Sequence, residues 1–122
     1  MSTSQSILLV ACNQRNLDLL SQVLIKNGYV TDTAKDLAAV ERIVETAVQY
    51  DLAMVDIAGF SHDVWNYCEK IASKNIPLLV IAPQKGQHVQ HESLARGARG
   101  VLYKPLVVKE LLTTVNEMVA EA

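Results

Sequence analysis

The sequence predicts a doubly wound α/β domain, and three observations carry that prediction. Five short apolar runs punctuate the chain, a helical pattern follows each of them, and most of the runs are aliphatic throughout rather than alternating. Strands that are apolar at every position are buried on both faces, which is the habit of a parallel sheet with helices on either side. Crossovers between parallel strands are right-handed, so five strand–helix units give one doubly wound sandwich.

Taken in order, SILLVA (6–11) reads as the first buried strand. The segment 16–28 follows, with Leu17, Leu20 and Leu24 at helical spacing and Gly28 as the stop. YVTDTA (29–34) is a second, alternating strand. Asp36 is the N-cap of a helix over 37–49, with Leu37, Val40, Val44 and Ala47 on one face. Leu52, Ala53, Met54 and Val55 form the third strand, which ends on Asp56. A helix with the stripe Val64, Cys68 and Ile71 follows, then a fourth strand over 76–82, where Pro77 is tolerable only near the start. Residues 88–97 are a weak helix candidate closed by Gly97, with Val89 and Leu94 as its large aliphatics, so this helix should pack weakly. GVLY (100–103) is the fifth strand, broken by Pro105. The chain closes on an amphipathic helix with the stripe Val108, Leu111, Leu112, Val115 and Val119.

The whole chain of 122 residues has room for one core, so residues 1–122 are expected to be a single domain. A hydrophobic share of 50% against 20% charged residues excludes disorder. The net charge of −2 and the lack of a basic stripe argue against direct nucleic-acid binding. No apolar run reaches the roughly 18–20 residues that cross a bilayer. The polar start MSTSQ is no signal peptide, and Cys12 and Cys68 then read as reduced thiols of a cytoplasmic protein.

Ligands of such folds sit outside the carboxyl ends of the strands. Those ends carry Ala11, Cys12 and Asn13 after strand one, Asp56 on strand three, Ala82 and Pro83 after strand four, and Lys104 and Pro105 after strand five. A Lys-Pro peptide can be cis, which would turn the lysine back over the sheet. On spacing alone, Asp56 and Lys104 are either ordinary surface residues or partners in a charge-assisted hydrogen bond. His88 and His91 could share a helical face but have no evident third ligand, so they read as solvated, as does the loop residue His62. Trp65 and Cys68 read as packing.

These fragments, in this order, resemble the receiver domains of two-component response regulators over nearly the whole chain. ILLV is similar to the family's first strand, GYVTDTAKD to its second, DLAMVDI to the strand of the phosphoacceptor aspartate, IPLLVIA to the fourth, and GARGVLYKPL to the fifth with its Lys-Pro. The resemblance implies a flavodoxin-like receiver fold with strand order 2-1-3-4-5, Asp56 at the phosphoacceptor position and Lys104 at the family lysine. It also implies departures. The family's acidic pair, which binds magnesium with the phosphoacceptor, falls on Ala11 and Cys12. Asn13 adds one amide oxygen at best, so magnesium binding is expected to be lost or very weak and no other cofactor or metal is implied. The family's Thr or Ser falls on Ala82, and its switch aromatic on Val101. Tyr103 shares a strand face with Val101 two positions along and cannot simply replace it. The family's Pro-Gly turn after the aspartate reads AGFSHD.

The expected function is therefore a pseudo-receiver, a non-enzymatic signalling module that works through protein contacts. A conventional receiver phosphorylated on Asp56 by a histidine kinase is the first alternative. A flavin- or nucleotide-binding domain is the second, disfavoured because ACNQRN contains no phosphate-cradling glycine. Cys12 is either a thiol activated by Lys104 or a small plug where an acid would stand. By family analogy, a protein partner, an output domain or a second copy would dock on the fourth helix, fifth strand and fifth helix.

Overall fold

The computed structural model describes residues 5–46 and 49–121. Five parallel strands, β1 (Ser6–Val10), β2 (Val30–Ala34), β3 (Leu52–Asp56), β4 (Leu78–Ala82) and β5 (Gly100–Tyr103), lie in the order β2-β1-β3-β4-β5. They alternate with α1 (Gln14–Lys26), α2 (Leu37–Val44), α3 (Val64–Ser73), α4 (Gln87–Ala95) and α5 (Val108–Glu121).

The three inner strands carry the fold. Every residue of β3 and β4 is buried, and β1 is buried from Ile7 onward. Their alternating side chains supply two cores. Ile7, Leu9, Met54, Leu79 and Ile81 pack with Leu17, Leu20 and Leu24 of α1 and Leu111, Val115 and Val119 of α5. Leu8, Val10, Val55 and Val80 pack with Val40 of α2 and Val64, Trp65, Cys68 and Ile71 of α3. The edge strands depart from the all-buried expectation. Only Ala34 of β2 is buried, and β5 is partly exposed along its length. Each edge strand has one neighbour, so part of its surface stays in water.

Element ends differ from the sequence pattern for local reasons. Helix α1 starts at Gln14, two residues early, because Asn13 caps it by accepting the Asn16 N–H at 3.1 Å. Asp36 caps α2 as expected, accepting the Ala39 N–H at 2.8 Å. That helix stops at Val44 rather than reaching residue 49; the Thr46 hydroxyl and N–H both bond back to the Ile43 carbonyl and tighten the last turn. Ala47, assigned to its apolar stripe, lies outside the described residues. Val108, expected on the buried stripe of α5, opens the helix and is 51% exposed.

Helix α4 packs as thinly as its composition suggests. Ser93 is its one buried residue, Val89 packs partly, and Leu94 is 51% exposed. A polar clamp compensates. Arg96, just past the helix, bonds Glu92 of α4 at 2.9 Å and reaches Glu69 and Asn66 of α3 at 3.3 Å each. Gly97 then turns the chain with a positive φ of 98°, and a Cβ there would lie 2.7 Å from the Cβ of Ala72.

Gly28 has a similar φ of 94° but nothing within 4 Å of its Cβ position. Gly97→Ala should therefore cost both the left-handed strain and the overlap, about 2–4 kcal/mol, whereas Gly28→Ala should cost the strain alone, about 1–2 kcal/mol. Urea melts of the two variants check this; equal losses would remove the α3 contact from the explanation.

Candidate functional site

The carboxyl edge of the sheet brings Asp56 and Lys104 together. They sit on β3 and just past β5, two strands apart, with β4 between them. The ladder continues past the strand ends on both sides of β4, through Ile57 N–H to the Ile81 carbonyl and Lys104 N–H to the Ala82 carbonyl, each at 3.0 Å. By register Asp56 stands level with Ile81 and Leu102, so the lysine backbone lies two residues further toward the carboxyl edge. Across two strand spacings of nearly 5 Å each, a lysine stem is the kind of side chain able to span the gap. Its Nζ lies 2.7 Å from Asp56 Oδ2. The second carboxylate oxygen, Oδ1, accepts the Ala58 N–H at 3.1 Å. The Lys104–Pro105 peptide is cis.

Burial is lopsided across the pair. The Asp56 side chain is 3% exposed and that of Lys104 29%. The lysine keeps part of its hydration while the carboxylate trades water for two hydrogen bonds, one of them charge-assisted.

The positions around the pair are poor in oxygen donors. Ala11 is buried and belongs to the core shared with Leu17 and Leu20. Cys12 is exposed and packs against Gly59, where a Cβ would lie 3.3 Å from the Cys12 Cβ and 3.5 Å from its Sγ. Gly59 also has a positive φ of 84°, so the turn after Asp56 depends on glycine twice over. The Asn13 amide oxygen is spent on capping α1. Ala82 is fully buried and contributes a methyl group. Val101 packs partly on the α2–α3 core. The Tyr103 hydroxyl is buried and has no hydrogen-bond partner among the described residues.

The remaining candidates take no part in the hydrogen bonds of the pair. His62, His88 and His91 are exposed. Trp65 is 7% exposed and Cys68 is fully buried, both in the α2–α3 core, and burial pushes the Cys68 thiol up to about 12. No group of three or more His, Cys, Asp or Glu residues among those described could hold a metal ion. No described helix is long and apolar enough to cross a membrane.

One feature of the site escaped the sequence pattern. Asp56 and Lys104 line a cleft of about 440 Å³ between α1 and the turn from β5 into α5, with Leu19, Leu20, Val23, Leu106 and Val108 among its walls. The available signal was Leu19, an aliphatic off the buried stripe of α1 and 51% exposed.

Comparison with known proteins gives a consistent result. Residues 7–116 match the family described as response regulator receiver domain. Protein PetR of Rhodobacter capsulatus is 27% identical over 111 residues, which cover 90% of this chain and 46% of that protein, so the chain spans about half the length of this curated relative. A CheY-like receiver domain protein from Methanospirillum hungatei superposes with a TM-score of 0.88 at 22% identity, covering 98% of this chain and 96% of that one. A response regulator from Thermotoga maritima gives 0.86 at 18% identity, covering 97% and 99%.

Two outcomes are expected of substitutions here. Asp56→Ala strands a partly buried lysine and should destabilise the fold by about 1–3 kcal/mol. An unchanged or higher denaturation midpoint would remove the pair from the stability of the domain. Tyr103→Phe deletes a buried hydroxyl that has no partner among the described residues, so stability should hold or rise by up to about 1 kcal/mol. A clear loss in the same melt would mean that the hydroxyl finds a partner in solution.

Proposed function

The chain belongs to the response regulator receiver domain family, and from that premise we propose that it is a pseudo-receiver, a signalling module set by protein contacts rather than by magnesium-dependent phosphorylation of Asp56. It is the receiver domain of a two-component response regulator by family; what is proposed is how it is switched. The observation that carries the proposal is the donor set around Asp56.

Magnesium is a hard cation that takes six oxygen ligands, usually anchored by carboxylates together with phosphate oxygens and water. Asp56 is the one carboxylate identified at this edge, and it is already paired with Lys104 and Ala58. Ala11 and Ala82 offer no oxygen, Cys12 offers soft sulfur, and Asn13 is committed to its helix. The residues present do not fit the ion.

Phosphoryl transfer onto a carboxylate depends on charge neutralisation and positioning. Attack by Asp56 on an anionic donor would have Lys104 as its sole identified helper. Loss of one such electrostatic donor typically costs about 3–4 kcal/mol of transition-state stabilisation, so losing the acid pair and the hydroxyl together slows the step by several orders of magnitude. The module is accordingly assigned no catalysis of its own. Its output passes to a protein partner, an output domain or a second copy, by family analogy through α4, β5 and α5. On that face α4 exposes Gln87, His88, Gln90, His91 and Leu94.

Acetyl phosphate with magnesium should leave Asp56 unmodified by intact mass spectrometry. The triple variant Ala11→Asp, Cys12→Asp and Ala82→Thr should gain magnesium binding, read from Trp65 fluorescence or amide shifts, and some phosphate uptake. Stoichiometric labelling of the unaltered chain within minutes would instead establish a conventional receiver.

A further inference from the structure

We infer that the cleft between α1 and the β5–α5 turn binds a small, mostly apolar molecule whose neutral hydroxyl or amide head bonds to the Asp56–Lys104 pair. Its volume of about 440 Å³ falls within the range of roughly 300–1,000 Å³ in which proteins hold small ligands. Leu19, Val23 and Val108 form its walls, with Leu20 and Leu111 also lining it. Leu19 and Val108 are each 51% exposed, so a ligand lying between them would take apolar surface out of water. Single exposed aliphatics are ordinary. Two of them lining one cleft together with an ion pair whose carboxylate is buried make an amphipathic site.

The chemistry of the head follows from the hydrogen-bond capacity left at the pair. A carboxylate has about four acceptor positions and an ammonium three donors. Asp56 uses one oxygen for Lys104 and the other for the Ala58 N–H. Lone pairs and ammonium protons therefore remain for a group that both donates and accepts. The pair is neutral overall. An anionic head would approach Lys104 against the charge of Asp56, and a cationic head would meet the reverse problem. A hydroxyl or amide satisfies both without either penalty. A molecule bound there would bridge α1 to the first turn of α5, joining an input to a face already assigned to protein contact.

This inference rests on the reading that Asp56 is not a phosphate acceptor, and the two fail separately. Phosphate uptake overturns that reading, while the cleft is tested by binding alone. The probe is indole-3-ethanol, titrated into the ¹⁵N-labelled protein and followed by amide chemical shifts. Saturable shifts at Leu19, Val23, Leu106 and Val108 are expected, with a dissociation constant of about 1–2 mM or tighter for a ligand of this size. Leu19→Glu and Val108→Glu, at half-exposed positions that the fold does not need, should each weaken binding at least about tenfold by placing a charge against an apolar body. Indole-3-acetate, the anionic counterpart, should bind more weakly than the alcohol. Shifts that fail to saturate, shifts unmoved by both glutamate variants, or equal binding of the acetate would each overturn the inference.

Discussion

Two-sided burial of β1, β3 and β4 is the constraint from which the rest of this structure follows. A strand apolar on both faces needs a layer against each, and the helices supply both: α1 and α5 on one side, α2 and α3 on the other. Nothing polar can sit in the middle of such strands without losing hydration it cannot recover. Charge is driven to the strand ends, where the ladder runs out and side chains can reach one another across the sheet. Asp56 is the place where an all-buried strand terminates in a carboxylate, and the lysine after β5 is what makes that termination tolerable.

Ala11, Cys12 and Asn13, at the end of the strand beside Asp56, carry no carboxylate. Clustered carboxylates repel and call for a cation. One carboxylate beside one ammonium does not. Ala11 has joined the hydrophobic core, Cys12 packs on a glycine turn, and the Asn13 amide closes a helix end. Each of these residues has found a structural use that serves stability. The site is a hydrogen-bonded Asp56–Lys104 contact bordered by a largely apolar cleft, which is the basis of the proposed role in recognition.

The fold is not equally firm everywhere. The inner strands and α1, α3 and α5 share dense apolar cores, whereas α4 contributes one buried serine and one partly packed valine. What anchors α4 to α3 is the branching set of contacts from Arg96 to Glu92, Glu69 and Asn66, together with the glycine turn pressed on Ala72. Partly exposed ion pairs of this kind are weak individually. An element held that way can reposition at small cost.

Local pattern made much of this readable in advance. Aliphatic runs and helical stripes placed all ten elements in order, Asp36 was legible as a cap, and Asp56 and Lys104 stood out as charges ending apolar strands. Those features depend on neighbours a few residues away, and sequence displays such neighbours directly. The strand order came from family resemblance and agrees with the observed sheet. Tertiary structure alone decided the rest. Whether Asp56 meets Lys104 depends on β4 lying between their strands. Whether Asn13 is a ligand or a cap depends on where α1 begins. Whether Val108 is core or cleft depends on how the first turn of α5 sits against α1. Each turns on the distance between segments remote in the chain, and that distance is set by packing whole layers rather than by the identity of any residue beside it.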